Sequence, residues 1–285
     1  MWEELNTKAL ELFHNRRYAE AAETARQALE EAEKSFGPDD LRVATSLNNL
    51  AEIYRASVKY DQAEPLWRRS LAIREQKLGP AHPDVATSLN NLAGALFEQG
   101  KMDEAQRMLQ KVVQILEKSL GRHHPDLATA LNNLAALNRA LGQNPAAKFN
   151  YEKALGILEQ AFGPEDVRTG EALNNLAGLY YSLDRFSDAE PLYAQALQIA
   201  EKTFGPFHSH VAASLNNLAA TLIGQGKFSE AEPSLLRAQS ILEANVGATH
   251  PIAVEGLQGL AEFYEAWGKT EKAKDYKERA SAALH

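Results

Sequence analysis

The phrase Leu-Asn-Asn-Leu-Ala begins at Leu47, Leu89, Leu131, Leu173 and Leu215, each start 42 residues after the last, without insertion. A decayed copy, Leu257-Gln258-Gly259-Leu260-Ala261, keeps the register. Glycine recurs at the same interval at Gly37, Gly79, Gly121, Gly163, Gly205 and Gly247. Alanine does so at Ala21, Ala63, Ala105, Ala147, Ala189, Ala231 and Ala273, which makes seven units. An unbroken period of this length restricts the fold to stacked copies of one supersecondary unit, because each copy can bury its apolar face only against its neighbours.

Within a unit the apolar spacing is helical. Leu47, Leu50, Ala51 and Tyr54 fall at i, i+3, i+4 and i+7, the pattern of one buried stripe. A second stripe runs through Ala63, Leu66, Trp67, Ser70, Leu71 and Arg74. The turn between them varies, Ser57-Val58-Lys59-Tyr60 in one unit and Gly142-Gln143-Asn144-Pro145 in another. In the latter, Asn144 is expected to cap the second helix and Pro145 to take its first position. Each unit is therefore expected to be a helix A, a short turn, a longer helix B and a loop opened by glycine. Gly79 should close helix B in a left-handed conformation. His82-Pro83-Asp84 should open the next helix A, with proline in its first turn and the acid near its positive end. Pro65, Pro191 and Pro233 lie about one turn into helix B and predict local bending there. The expected architecture is an all-α solenoid of seven helix-turn-helix repeats, at approximately 1–39, 40–81, 82–123, 124–165, 166–207, 208–249 and 250–285.

Several function classes are disfavoured. With no cysteine among 285 residues, disulfides, thiolate catalysis and cysteine–zinc sites are absent, and a cytoplasmic setting is the expectation. The N-terminus lacks an apolar signal core, and no apolar run approaches the roughly 18 residues that cross a bilayer. A net charge of −8 opposes non-specific binding to nucleic acid or to an anionic membrane. Neither a phosphate-binding glycine loop nor a serine nucleophile elbow occurs, so no enzymatic role and no cofactor is expected. His82, His124, His208 and His250 share one loop position with Asp40 and Asp166. Equivalent positions on stacked helices lie about 10 Å or more apart, too far to converge on one metal ion, so capping is the expected role.

Alanine at the start of helix B, with an aromatic three residues before it at Tyr18, Tyr60, Phe186 and Phe228, resembles the tetratricopeptide repeat. The 42-residue period and the phrases Ala-Glu-Pro-Leu, Ala-Ile-Arg-Glu and Gly-Pro-x-His-Pro-Asp look like its kinesin light chain subtype. The resemblance covers essentially the whole chain. It implies a right-handed α-α superhelix whose A helices line a concave groove for extended peptides, with asparagine and basic side chains as contacts.

Carried onto this sequence, that groove is lined by Asn48 and Asn49, Asn90 and Asn91, Asn132 and Asn133, Asn174 and Asn175, and Asn216 and Asn217. They lie on the arc opposite the buried stripe, since successive helical residues turn by about 100°. Asparagine carries a donor pair and an acceptor and can meet a peptide backbone in either polarity. In the alternative structural role, one asparagine of each pair ties neighbouring helices together. Gly94, Ala136, Gly178 and Ala220 deepen the middle of the arc, while Glu52 and Glu262 make its ends acidic. The only bases placed on the arc are Arg55 and Arg139, a departure from the basic groove of the light chains. Arg17, Lys59, Lys101, Arg185, Lys227 and Lys269 recur where helix A ends and are expected to complement that terminus. The functional expectation is a scaffold or adaptor for a protein or extended peptide. The alternative is a module that self-associates through its ends or serves as part of a larger effector protein. The fourth unit breaks pattern at Asn138, where Tyr54, Leu96, Tyr180, Leu222 and Tyr264 stand elsewhere, and is expected to be a soft point.

Overall fold

The computed structural model describes residues 1–283, and all fourteen regular elements among them are α-helices. The A helices are α1 (Trp2–His14), α3 (Leu41–Ala56), α5 (Pro83–Glu98), α7 (Pro125–Ala140), α9 (Val167–Ser182), α11 (Ser209–Gly224) and α13 (Pro251–Ala266). The B helices are α2 (Tyr18–Phe36), α4 (Tyr60–Leu78), α6 (Met102–Leu120), α8 (Asn144–Phe162), α10 (Phe186–Phe204), α12 (Phe228–Val246) and α14 (Thr270–Ala282). The chain forms two compact units, Met1–Ile157 and Leu158 onward, with the boundary inside α8.

Consecutive helices pack against one another from α1 to α7 in the first unit and from α9 to α14 in the second. The recurrent alanine is the reason that A and B approach closely: Ala21, Ala63, Ala105, Ala189 and Ala231 are fully buried at the crossing, where a larger side chain would hold the backbones apart. In the first unit Ala63 and the fully buried Trp67 join Leu92, Leu96, Leu109, Leu134 and Leu137 in one core spanning α3 to α7. In the second, Ala219, Leu222 and Ala231 pack with Leu260, Phe263, Tyr264 and Ala273.

The loops follow from local chemistry. Nδ1 of His82, His124, His208 and His250 accepts the backbone N–H two residues on, at 3.1, 3.2, 3.2 and 3.3 Å. Asp40 and Asp166 accept the same bond through a carboxylate oxygen at 2.9 and 3.0 Å. Histidine and aspartate are thus interchangeable caps. Gly79 has the positive φ expected of it, 85°, but its ψ of 154° lies outside the left-handed helical well, in a region essentially reserved for glycine.

One expectation is corrected. Helix α8 begins at Asn144 itself, so Pro145 is its second residue, not its first. Helices α4, α10 and α12 run through Pro65, Pro191 and Pro233 over the same 19 residues as the proline-free α6. Each proline is exposed, as are Asp61, Ser187 and Ser229 four residues earlier, so water can serve the carbonyls that lose a partner.

Candidate functional site

Asparagines stitch successive A helices together in the first unit. Nδ2 of Asn49 donates to Oδ1 of Asn6 at 2.8 Å, Asn91 to Asn48 at 3.0 Å, and Asn133 to Asn90 at 2.9 Å. The second asparagine of a pair therefore reaches the first asparagine of the preceding repeat. Asn48 Oδ1 also accepts Trp67 Nε1–H at 3.2 Å, which ties it to helix B of its own repeat. Asn48, Asn49, Asn90 and Asn91 are half-buried and Asn133 is exposed. Asn132 and Asn174 are half-buried, each with a buried Oδ1 that accepts no hydrogen bond. Asn175, Asn216 and Asn217 are exposed. Arg139 is exposed near the end of α7, whereas Arg55 is paired with Glu52 of its own helix.

Hollows open between neighbouring A helices, floored by the B helix between them. One of about 250 Å³ lies beside Asn90, Gly94, Phe97, Asn133 and Ala136, so small residues do deepen this wall. Another, of about 200 Å³, is formed by Ala86, Thr87, Asn90, Val112, Leu116 and Asp126. Two periods on, Gly170, Glu171, Asn174, Ala196, Ala200 and His210 form its counterpart, of about 380 Å³. A hollow of about 550 Å³ lies beside Asn216, Gly256, Gly259, Glu262 and Phe263.

The recurrent cations serve a purpose other than the one expected. Each stands at the N-terminus of helix B, and most bind carboxylates instead of helix ends. Lys101 donates to Glu64 at 2.6 Å and Lys227 to Glu190 at 2.8 Å, each linking to the preceding B helix. Arg17 and Arg185 pair with Glu20 and Asp188 three residues on, and Lys269 lies 3.1 Å from the centre of the Trp267 ring. Burial would raise the Glu64 carboxyl, but hydrogen bonds from Lys101 and Arg68 outweigh it and hold it down at about 2.

Gly170, Glu171, Ala200 and His210 were not among the expected site residues. Their signal was a departure from period: Gly170 stands where Ala44, Ala86, Ala128 and Ala212 do, and Glu171 where Thr45, Thr87 and Thr129 do. Among the described residues no helix is long and apolar enough to cross a membrane, and no group of three histidines or acids could hold a metal ion.

The tetratricopeptide repeat family profile matches residues 5–76, 52–116, 84–160, 150–202, 168–244 and 210–284. The solved structure of BtubC (BKLC) from P. vanneervenii is 26% identical, with a TM-score of 0.72 over 82% of this chain and 94% of that one. A putative kinesin light chain from P. anserina with nearly identical repeats is 27% identical, with a TM-score of 0.64 over 73% of this chain and 98% of that one. A STAND signal-transduction ATPase with a tetratricopeptide repeat sensor, from Pyrococcus horikoshii, shares the fold alone. It is 13% identical, with a TM-score of 0.75 over 98% of this chain and 41% of that one. No curated protein sequence matches.

Proposed function

Since the chain belongs to the tetratricopeptide repeat family, whose members generally mediate protein–protein interaction, we propose that it is a scaffold holding an extended peptide or protein segment along its A-helix wall. The observation that carries this reading is the recurrence of asparagine-edged hollows between A helices at equivalent positions two periods apart. An extended segment presents side chains alternately and leaves its backbone N–H and C=O groups in need of partners. Periodic hollows suit the first, and amides with both a donor and an acceptor suit the second. Asn132 and Asn174 are the contacts to test on this reading, because both lie on this wall and their Oδ1 atoms accept none of the bonds that join Asn48 and Asn90 to the next repeat. The reading includes no catalytic step and no cofactor, and it places the scaffold in the cytoplasm.

The test is affinity for a peptide selected on the intact chain. Changing Asn132 and Asn174 to Ala should weaken binding by about 1 kcal/mol per lost bond, roughly fivefold each, with the melting temperature held. Unchanged affinity at unchanged stability would reject binding along this wall.

A further inference from the structure

The hollow between α11 and α13 joins an apolar lining to two exposed carboxylates. Gly259 stands where Asn49, Asn91, Asn133, Asn175 and Asn217 do, so no amide of α13 crosses to Asn216 there. A Cβ built at Gly259 would meet nothing within 4 Å. Half-buried Ile223, Leu235 and Leu242, with Ile252 48% exposed, line a space of about 550 Å³. Glu255 and Glu262 stand two turns apart on α13, about 10 Å along its axis, and both are exposed. Comparison with the second repeat shows what Glu262 lacks. Glu52, at the equivalent position, is paired with Arg55, but Glu265 stands in place of that arginine and is itself bound to Lys277.

The fold brings no base to these carboxylates. Neither α11 nor α13 contains lysine or arginine, and Arg237, the one base of α12, is held by Glu201. Around α14, Lys272 pairs with Glu232 and Arg279 approaches Glu243, while Lys269 lies over the Trp267 ring. Among the described residues Glu255 and Glu262 therefore make no ion pair. Gln239 offers a ligand nothing, since it is 5% exposed and its Nε2 already donates to Glu243 and to the Ala253 carbonyl. Carboxylates at two points on the edge of an apolar hollow complement a large apolar side chain flanked by cations. The apolar group is withdrawn from water, and the charges at the edge select the partner. Two carboxylates this far apart call for two cations. An acidic segment is opposed at both.

We infer that this hollow receives a large apolar side chain of the bound segment, flanked on both sides by lysine or arginine, with Glu255 and Glu262 as counter-ions. The inference rests on the reading that a segment lies along the A-helix wall. The test selects a random peptide library on the full chain and measures a selected peptide by fluorescence anisotropy. Selected sequences should share an apolar residue between basic ones. Gly259→Leu fills the hollow from a helical position with free space around it, so it should keep the melting temperature and weaken binding at least about tenfold. Glu255→Gln combined with Glu262→Gln should weaken binding about tenfold at low salt, and less as salt rises. Glutamine in place of the peptide's basic residues should have the same effect, and the two changes together should add little to either alone. The glutamine substitutions, both at exposed positions, decide the case if Gly259→Leu lowers the melting temperature. Selected peptides without the basic–apolar–basic pattern, or unchanged affinity in either variant at unchanged stability, overturn the inference and leave the scaffold reading standing. Failure to select any peptide removes both. Self-association seen by light scattering and dispersed by Gly259→Leu would make a second copy of the chain the occupant, which also overturns the inference.

Discussion

Val58 illustrates how far one residue can stand from its neighbours in period. The second residue before each B helix has positive φ, and Gly100, Gly142, Gly226 and Gly268 occupy that position in four repeats. Arg16 and Asp184 adopt it at a cost, and Val58, at φ 60°, is the β-branched case, which that conformation suits least. Its side chain is 72% exposed and gains little from packing. Val58→Gly is therefore expected to raise stability by about 1 kcal/mol, a few degrees in melting temperature, measured by thermal and urea unfolding. Glu64 gives a second prediction. Its side chain is only 15% exposed and its pKa in the fold, about 2, lies below the ordinary 4.5. A depressed carboxylate contributes stability that is fully present above the unfolded value and is lost as pH falls through the folded one. Urea stability should thus decline between pH 4.5 and 2, and Glu64→Gln should flatten part of that decline. Asp40 and Asp166, held at about 2 by side-chain and backbone hydrogen bonds from Arg42 and Arg168, act in the same direction, but solvent screens them more. Asn138, by contrast, is not an orphan. It is 3% exposed, and its Oδ1 accepts Gln106 Nε2–H at 2.7 Å, a contact that removes the main reason to expect a soft point there.

At the scale of the element, glycines of two kinds have opposite roles. Gly79 ends α4 at φ 85° and ψ 154°, where a Cβ would be strained whatever the space around it. Gly94 lies within α5 at the mouth of a hollow, and a methyl group added there would meet nothing within 4 Å. Gly79→Ala should therefore destabilise the fold by about 1–3 kcal/mol. Gly94→Ala should stabilise it by up to about 1 kcal/mol while narrowing the wall. Loss of stability in both variants, read by urea unfolding, would show that the second glycine is structural as well.

At the scale of the molecule, the polar links between repeats join immediate neighbours. Glu33–Arg69 at 2.6 Å and Glu117–Lys153 at 3.2 Å in the first unit, and Glu201–Arg237 in the second, each connect one B helix to the next. Stability built this way is close to a sum over repeats and their interfaces. A chain ending at residue 249 should keep its remaining helices and lose stability, because Leu222 and Ala219 would be uncovered where Leu260, Phe263 and Tyr264 now pack. Circular dichroism during urea unfolding measures this. Complete loss of helix would contradict it.

Sequence alone determined the fold, and the physical reason is periodicity. Seven copies of one apolar pattern, punctuated by glycines whose backbone angles few other residues adopt, leave a single way to bury each helix pair. The same regularity hid the differences among repeats. Which asparagines bond to one another depends on the distance between helices 43 residues apart, as in Asn91 and Asn48, and spacing along the chain does not carry that distance. The recurrent lysines read as helix-end cations until the tertiary structure brought Lys101 to Glu64 and Lys227 to Glu190. The hollow at Glu171 likewise arises only in three dimensions, where Ala196 and Ala200 leave open the space that Val112 and Leu116 narrow two periods earlier.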